Sequence, residues 1–263
     1  MRVDANTTAF VTGASSGIGA ALARALAARG VTVGIVARRA DKLAAVLADC
    51  QALVPGCRSW VLDLGDVEAA TALALEAWDA FGGLDILVNN AAVPKRRPAS
   101  RLSVDDVEST MRVNFFAPAR MTLAVLPGML ERRSGVIVNV SSMGGRVGIA
   151  HEAAYNASKF ALCGWSEGLA IDLDGSGVDV RLIEPGPIDT DIWERPGEDP
   201  AVFVPDLQPP SLVADGIIAA IEGDQFEHYL PDLKSVVAWK ESDIDAYIRM
   251  SADLRRKSEA SSG

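Results

Sequence analysis

Short apolar runs alternate with longer amphipathic segments along this chain of 263 residues. The apolar runs are rich in β-branched residues and predict strands at 8–12, 31–37, 60–62, 84–88, 136–140, 178–183 and, with the weakest pattern, 227–230. Segments with helical periodicity lie between them, at 17–29, 41–48, 66–81, 104–133, 152–173 and 211–223. Strands that are apolar along their whole length are typical of parallel sheets covered by helices on both faces. The pattern therefore predicts a doubly wound α/β fold around a parallel sheet of about seven strands.

The chain contains no linker rich in Pro, Gly or Ser, so a single domain over residues 1–263 is expected. One irregular stretch, at 185–210, carries seven of the thirteen prolines. A long irregular segment inside a compact domain usually forms a lid or a binding loop. We therefore expect a substrate lid at about 186–212, and a helical C-terminal tail at about 242–258.

The formal net charge of −10 argues against nucleic acid or an anionic membrane as a partner, because both need clustered cations. Two short basic clusters, at 95–97 and 255–257, are interpreted as solvated. No membrane anchor is expected from the apolar runs, and the polar N-terminus does not read as a signal peptide. Three cysteines without Cys-x-x-Cys spacing fit reduced thiols, so a cytoplasmic location is expected.

A glycine-rich turn follows the first predicted strand and opens the first predicted helix. It reads Thr-Gly-Ala-Ser-Ser-Gly-Ile-Gly over residues 12–19. Glycines let the backbone approach a pyrophosphate, and the N–H groups of a helix N-terminus bind it. Such a turn can also serve only to pack a helix on a sheet, but the strand-turn-helix context favours a dinucleotide site. The predicted cofactor-binding residues of this turn are Gly13, Ser15, Ser16, Gly17, Ile18 and Gly19.

Two arginines, Arg38 and Arg39, follow the second predicted strand, where a carboxylate would bind the ribose hydroxyls of NAD. Guanidinium groups bind a 2′-phosphate through charge-assisted bonds, whereas a carboxylate repels it. NADP is therefore the predicted cofactor, and the alternative is that both arginines only cap the sheet edge in solvent. After the third strand, Asp63 is placed to accept a hydrogen bond from an adenine amino group, and Leu64 beside it is included in the site.

A tyrosine and a lysine have a spacing that suggests chemistry. Tyr155 and Lys159 are four residues apart, so a helix places both side chains on one face. An ammonium beside a phenol lowers the phenol pKa from its ordinary value of about 10, and the tyrosine can then exchange protons with an alcohol near neutral pH. The pair alone is weak evidence, because a solvated helix face produces the same spacing.

Several ordered motifs across residues 8–230 resemble those of the short-chain dehydrogenase/reductase family. The turn at 12–19 resembles the family's cofactor turn, and Asn-Asn-Ala-Ala at 89–92 resembles its Asn-Asn-Ala-Gly segment, with Ala92 where glycine is usual. Pro-Gly-Pro-Ile-Asp-Thr at 185–190 resembles the segment that surrounds the nicotinamide. The resemblance implies a Rossmann-type fold, and it adds to the cofactor site Asn90, Ala91, Tyr155, Lys159, Pro185, Gly186, Ile188 and Thr190.

The resemblance also implies a catalytic set, which consists of Asn114, Ser142, Tyr155 and Lys159. Ser142 lies thirteen residues before Tyr155, which is the family's spacing, whereas Ser141 is out of step by one. In the implied reaction, hydride passes between NADP(H) and a carbonyl or secondary alcohol while Tyr155 acts as general acid or base. Ser142 would bind the carbonyl oxygen, Lys159 would bind the nicotinamide ribose and lower the phenol pKa, and Asn114 would hold a water near the lysine.

The implied partner is a small carbonyl compound or alcohol, and no metal is expected. The histidines His151 and His228 are interpreted as incidental, with His151 at a pocket wall. The substrate pocket is predicted to be lined by residues 92–97 and 143–151 and by a lid over 188–212 that includes Trp193, Phe203 and Val204. These aromatic side chains suggest a medium-sized apolar or ring-bearing substrate, or only packing within the lid.

The helices at 104–133 and 152–173 resemble the family's dimerising faces, so a homodimer or homotetramer is expected, with Cys163 and Trp165 as interface residues. Three other functions stay open. One is a dinucleotide-binding regulator without catalysis, because fold does not determine function. The others are an NAD-dependent dehydrogenase of the same family and an enzyme that uses the same tyrosine for dehydration or epimerisation.

Overall fold

The computed structural model describes residues 1–202 and 206–261. Its strands are β1 (Thr8–Thr12), β2 (Thr32–Ala37), β3 (Arg58–Val61), β4 (Ile86–Asn89), β5 (Gly135–Val140), β6 (Val178–Pro185) and β7 (Glu227–Leu230). They form one parallel sheet in the order β3-β2-β1-β4-β5-β6-β7. The doubly wound α/β fold predicted from the sequence is confirmed, including the weakly patterned seventh strand.

The helices are α1 (Gly17–Ala27), α2 (Ala40–Leu53), α3 (Val67–Phe81), α4 (Val104–Met111), α5 (Ala117–Arg132), α6 (Ala153–Asp172), α7 (Pro210–Glu222), α8 (Lys234–Ser242) and α9 (Ile244–Ser261). The predicted helix at 104–133 is α4 and α5 joined by a π-helical turn, Arg112–Phe116. The predicted tail is α9, which extends further than expected. The α8 helix was not predicted from the sequence, because its paired valines have modest helix propensity.

Helices cover both faces of the sheet, and alternation along the strands decides which side chains each face contributes. On β1, Ala9 and Val11 belong to the core formed with α1 and α7. Phe10 between them points to the opposite face and belongs to the core formed with α3 and α5. Strands buried on both faces therefore explain the continuous apolar runs in the sequence.

One helical stretch among the described residues, Val104–Arg132, is long and apolar enough to cross a membrane by length and composition alone. Its side chains Met121, Val125 and Met129 are buried in the core on one face of the sheet. The apolar composition of this stretch is thus used in packing a core helix.

The carboxyl ends of the parallel strands meet at one edge of the sheet. Between β1 and β4 the chain reverses its direction of winding, since α1 lies on one face and α5 on the other. The two strand ends are tied together: Asn90 Nδ2 donates to Thr12 O at 2.8 Å, and Ala91 N donates to Thr12 Oγ1 at 3.0 Å. A crevice at such a switch point is where open α/β sheets bind their ligands.

Candidate active site

The glycine turn forms one end of a cavity of about 1270 Å³ at the carboxyl edge of the sheet. Gly13 and Gly17 have φ of 70° and 55°, in the left-handed region that favours glycine. A Cβ atom on Gly17 would lie 2.7 Å from Thr190 Cγ2, so the turn and the start of the lid pack closely. The first residues of α1 therefore present bare backbone to the cavity, which fits a pyrophosphate group.

Most of the predicted cofactor residues line this one cavity. They are Gly13, Ser15, Ser16, Gly17, Ile18, Arg38, Arg39, Asp63, Leu64, Asn90, Ala91, Tyr155, Lys159, Pro185, Gly186, Ile188 and Thr190. Gly19 does not line it. A Cβ atom on Gly19 would lie 2.6 Å from Gly13 O and from Asn90 Nδ2, so this glycine serves packing inside the turn. The donor groups of the cavity, from the turn to the end of β6, fit a dinucleotide.

The two arginines after β2 lie on the cavity wall beside the glycine turn. Arg39 donates to Ser15 Oγ from Nε at 3.2 Å and from Nη2 at 3.0 Å, and it pairs with Asp191 of the lid. Arg38 pairs with Asp63 across 3.4 Å. Burial, and then the charge of Arg38, lower the pKa of the nearby Arg195. Several cations thus surround this end of the cavity, and Arg39 is held against the turn.

The end of β5 and the first turns of α6 bring Ser142, Tyr155 and Lys159 together. Tyr155 is 8% exposed and Lys159 is 1% exposed. Lys159 Nζ lies 5.8 Å from the centre of the Tyr155 ring and donates to Val140 O at 2.9 Å. The Tyr155 phenol forms a hydrogen bond with Ser142. Three of the four predicted catalytic side chains therefore line one wall of the cavity.

Burial determines the direction of the pKa shifts of Tyr155 and Lys159. It raises the pKa of the Tyr155 phenol above the ordinary value of 10.0, and the hydrogen bond with Ser142 opposes part of that effect. It lowers the pKa of Lys159 to about 8. The direction for Tyr155 is opposite to the one expected from the sequence, because lost solvation outweighs the neighbouring groups of the chain. The phenol is accordingly protonated at neutral pH and available as a proton donor.

The two neighbouring serines have different surroundings. Ser141 Oγ is 3.3 Å from Lys159 O and 3.2 Å from Cys163 Sγ, so its hydroxyl is bonded into α6. Ser142 Oγ accepts from Gly144 N at 3.0 Å and bonds the Tyr155 phenol. Of the two, Ser142 is the one whose hydroxyl meets the tyrosine.

Asn114 is buried in the π-helical turn and does not line the cavity. Its Oδ1 accepts from Val93 N at 2.8 Å, and its Nδ2 donates to Val93 O at 2.9 Å and to Ser158 Oγ at 3.0 Å. The side chain thus joins the segment after β4 to α6. Its predicted role in holding a water near Lys159 stays a prediction.

The lid is anchored by an arginine that the sequence analysis interpreted as solvated, and that interpretation is wrong. Arg96 is only 3% exposed. Its guanidinium donates to three backbone carbonyls of the lid, those of Ile192 at 2.9 Å, Trp193 at 2.8 Å and Asp199 at 3.0 Å. Charge density in the sequence does not distinguish such a buried anchor from a solvated cluster, because the carbonyl acceptors come from a segment about 100 residues away.

The far end of the cavity is formed by four separate segments. The predicted segments contribute Ala92, Val93, Pro94, Arg96, Met143, Val147, Gly148, Ile149, Ala150 and the lid residues Ile192 and Trp193. His151 does not line the cavity, although its neighbours do, and Phe203 and Val204 lie outside the described residues. The sequence analysis missed the C-terminal wall, which consists of Leu233, Val236, Trp239, Tyr247, Met250, Ser251 and Leu254. The signal was present in α9, where Tyr247, Met250 and Leu254 recur at helical spacing.

A buried carboxylate behind Ser142 was also missed. Glu184 is 0% exposed and accepts from Ser142 N at 3.2 Å. Arg146 lies 3.2 Å from it but is shared with Glu167 and Glu227. Burial raises the pKa of Glu184 to about 7. A single acid in the otherwise apolar end of β6 was the available signal, since an isolated carboxylate is rarely fully buried.

The expectation that Cys163 is an interface residue is wrong. Cys163 is 1% exposed within the chain itself, and its thiol lies between Ser141 and Glu184. Trp165 is partly buried, packs on the core below α6 and contacts the ring of Phe115. Both side chains are therefore occupied inside the fold.

The comparisons with known proteins agree with this geometry. The family described as short chain dehydrogenase matches residues 7–201. A D-threitol dehydrogenase from Mycolicibacterium smegmatis is 40% identical over 199 residues, which are 73% of this chain and 75% of that protein. The residues matched by the family, 7–201, contain the glycine turn, the end of β5 and the start of α6.

Two similar solved structures contain different dinucleotides. A short-chain dehydrogenase from Sphingobium yanoikuyae in complex with NADPH has a TM-score of 0.79 and 27% identity, covering 93% of this chain and 95% of that one. A short chain dehydrogenase/reductase from Burkholderia phymatum in complex with NAD has a TM-score of 0.85 and 25% identity, covering 94% and 96%. Motifs, fold and matches together show that this chain belongs to the short-chain dehydrogenase family, whose membership supports a hydride-transfer oxidoreductase activity.

Proposed function

We propose that this chain is an NADP(H)-dependent oxidoreductase that interconverts a carbonyl compound and a secondary alcohol. One observation carries the proposal: the Tyr155 phenol, with Ser142 and Lys159, lies on the wall of the same cavity that contains the glycine turn. The cavity exceeds the 300–1,000 Å³ or so that a single small ligand usually occupies, so there is room for a dinucleotide and a substrate.

In the proposed reduction, the bound nicotinamide supplies the hydride. Tyr155 donates its proton to the carbonyl oxygen, and the Ser142 hydroxyl donates a hydrogen bond to the same oxygen as negative charge develops there. The ammonium of Lys159, one helical turn away, is largely protonated at neutral pH because its pKa is about 8. It would hold the nicotinamide ribose and stabilise the phenolate left behind.

The preference for NADP(H) is proposed from the cations beside the glycine turn. Arg38 and Arg39 follow β2, and Arg195 approaches from the lid. A 2′-phosphate would gain charge-assisted hydrogen bonds from these guanidinium groups. A carboxylate after β2 would bind the ribose hydroxyls of NAD. This chain has Arg38 and Arg39 at those positions, so the hydroxyls would lack that partner there.

The test of the function is turnover of a panel of ketones, aldehydes and secondary alcohols with NADPH and NADH. We expect reduction with NADPH, and a loss of about a thousandfold in kcat for Tyr155→Phe, because the proton donor is removed. Dinucleotide binding to the variant, measured by fluorescence titration, should stay within about threefold. Absence of turnover across the panel, or unchanged kcat in Tyr155→Phe, contradicts the proposal.

The cofactor preference has its own test. Arg38→Asp should weaken NADPH binding by about 30-fold or more while NADH binding changes little, since only the former carries the 2′-phosphate. Arg24→Asp, at an exposed ion pair on α1, is the matched charge change away from the cavity. Equal losses of affinity for NADPH and NADH would show that Arg38 does not bind the 2′-phosphate.

We further propose a cytoplasmic homodimer or homotetramer that works as one catalytic domain over residues 1–263, with a lid at 186–212. Support comes from apolar side chains left exposed on α5 and α6, namely Leu123, Leu130, Phe160 and Ile171. These side chains lie on the two helices that are expected to dimerise, and their exposure favours an interface there. Light scattering on the purified protein measures the mass, and a monomer at micromolar concentration would overturn this assembly.

A further inference from the structure

Glu152 lies beside the proposed proton donor on the wall of the substrate cavity. It directly precedes α6 and comes three residues before Tyr155. It is the N-cap of α6, and it is close enough to Tyr155 for its charge to raise the pKa of the phenol. A substrate group bound by the Glu152 carboxylate would therefore lie within a few bonds of the carbonyl carbon whose oxygen Tyr155 protonates.

Among the residues that the structure describes, the Glu152 carboxylate has no hydrogen-bond partner. It makes no capping bond to α6, and within residues 1–202 and 206–261 no other group donates to it. Burial raises its pKa to about 7, with opposing influences from Arg96 and Glu198. A partly buried carboxylate that faces the cavity without a protein donor would gain from a ligand that supplies one, so such a ligand would bind favourably there.

The charged groups near Glu152 already have partners within the protein. Arg96 donates to three backbone carbonyls of the lid. Glu198 pairs with Lys95 at 3.0 Å and accepts from Arg96 N at 2.8 Å. Lys95 also pairs with Asp106 at 3.2 Å. The cations Arg96 and Lys95 thus equal the anions Glu198 and Asp106 in number, so apart from Glu152 itself the wall carries no net negative charge that would select a cationic ligand. A neutral hydroxyl, which can both donate to and accept from a carboxyl group near its pKa, fits better.

The rest of the cavity at this end is apolar. Its side chains include Val147, Ile149, Trp193, Met250 and Leu254. An apolar remainder of the substrate would be buried against them, while Glu152 meets one polar group close to the reacting carbon. Such a wall with a few placed polar groups is the usual design of a specific small-molecule site.

We propose that Glu152 determines substrate specificity by binding a hydroxyl group next to the reacting carbon, so that the chain acts on hydroxy ketones and the corresponding diols with an apolar remainder. This inference rests on the proposed carbonyl and alcohol chemistry. Reduction adds hydride at the carbonyl carbon and the Tyr155 proton at its oxygen, which yields the diol and the oxidised cofactor. Glu152 takes no part in these bond changes and acts only in recognition.

The experiment compares phenacyl alcohol with acetophenone, which lacks the hydroxyl, using the full chain and NADPH. The ratio of their kcat/KM values should fall by about tenfold or more in Glu152→Leu, because the hydroxyl loses its partner. Glu152→Gln keeps a hydrogen-bonding group and should retain the native ratio within about threefold. Glu108→Gln, which removes an exposed carboxylate on α4 away from the cavity, is the control for charge and should leave the ratio unchanged.

A second readout does not need turnover. Binding of phenylethanediol and phenylethanol to the protein with NADP⁺ is compared by saturation-transfer NMR, and the diol should lose its advantage in Glu152→Leu. If the diol advantage depends on Glu152 but nothing is turned over, the proposed reaction fails while the recognition site stands. If Glu152→Leu leaves both the kinetic ratio and the binding ratio unchanged, or if neither compound binds, the inference is overturned.

Discussion

The two ends of the cavity are built in different ways. The nucleotide end is made from short stretches that directly follow strands, the glycine turn after β1 and the arginine pair after β2. The substrate end is assembled from the segment after β4, the loop before α6, the lid and α9. The first depends on local backbone geometry, and the second depends on contacts between segments about 100 residues apart, such as Arg96 with Trp193. Local changes should therefore damage the first end most, and loss of long-range anchors should damage the second.

The largest expected effect lies at the nucleotide end. Gly17→Val forces a β-branched residue into φ of 55° and places its Cβ atom 2.7 Å from Thr190 Cγ2. We expect dinucleotide binding to weaken at least about 100-fold, measured by fluorescence titration. Gly56→Ala, where a Cβ atom would meet only ordinary contacts, should bind like the native chain. If Gly17→Val bound the dinucleotide with native affinity, the glycine turn would tolerate backbone strain. The nucleotide end would then not depend on local backbone geometry as proposed.

A second prediction concerns the buried carboxylate behind Ser142. The pKa of Glu184 is raised to about 7 from 4.5, so its contribution to stability is present below pH 4.5 and is lost as pH rises through about 7. The size of this loss is about 3 kcal/mol. Glu184→Gln removes the titration, so the free energy of unfolding of the native chain minus that of the variant should fall across this range.

Urea unfolding at several pH values measures that difference. Glu76→Gln, on the exposed surface of α3, is a control that should show no such trend. A difference that grows with pH would mean that the pairing with Arg146 outweighs burial, and the sign assigned to Glu184 would be wrong.

At the substrate end, Arg96→Met leaves three backbone carbonyl groups of the lid without their donor. We expect KM for the carbonyl substrate to rise about tenfold and the lid to be cut faster by a protease, because hydrogen bonds from a charged donor are worth about 1.5–3 kcal/mol. Arg101→Met removes only an exposed ion pair to the same lid and should have little effect. A tenfold loss of dinucleotide affinity in Arg96→Met, with KM for the carbonyl substrate unchanged, would show that Arg96 supports the nucleotide end and not the substrate end.

The smallest effect is expected for the docking of α9. Tyr247 Oη donates to Gly148 O at 2.8 Å, which holds the helix against the loop before α6. Tyr247→Phe removes about 1 kcal/mol, so KM for an apolar ketone should rise by roughly fivefold with kcat unchanged. Tyr247→Leu, which also removes the ring that packs on Trp239, should raise KM further. Identical KM values in all three proteins would show that α9 is not a wall of the substrate site.

Much of the fold was predictable because its determinants are periodic. The alternation of apolar strands with amphipathic helices predicted the sheet, and the glycine turn was predictable because it lies between β1 and α1 in sequence. The boundaries were less accurate: β3 begins at Arg58, two residues before the predicted start, because strand pairing with β2 extends beyond the apolar run. The π-helical turn at Arg112–Phe116 has no periodic signature and appeared only in the structure.

The candidate site also has features that the sequence predicted and features that appeared only in the structure. The spacing of Tyr155 and Lys159 along one helix face follows from the sequence, whereas the preference for Ser142 over Ser141 came from the resemblance to the family, whose spacing is thirteen residues. The direction of the Tyr155 pKa shift did not follow, because it depends on how completely the folded chain excludes water from the phenol. The sequence showed which groups were available, and burial decided their protonation.

By itself, the sequence determined the sheet, the turn that opens the nucleotide end, the cations after β2 and the tyrosine with its lysine, because each is written in residues that are close along the chain. Only the tertiary structure decided that Arg96 anchors the lid, that Glu184 is buried behind Ser142, and that α9 forms a wall of the cavity. Each of these depends on desolvation or on a partner from a distant segment. The helical spacing in α9 and the single acid at the end of β6 were visible in the sequence, but desolvation and distant partners arise only when the chain is folded.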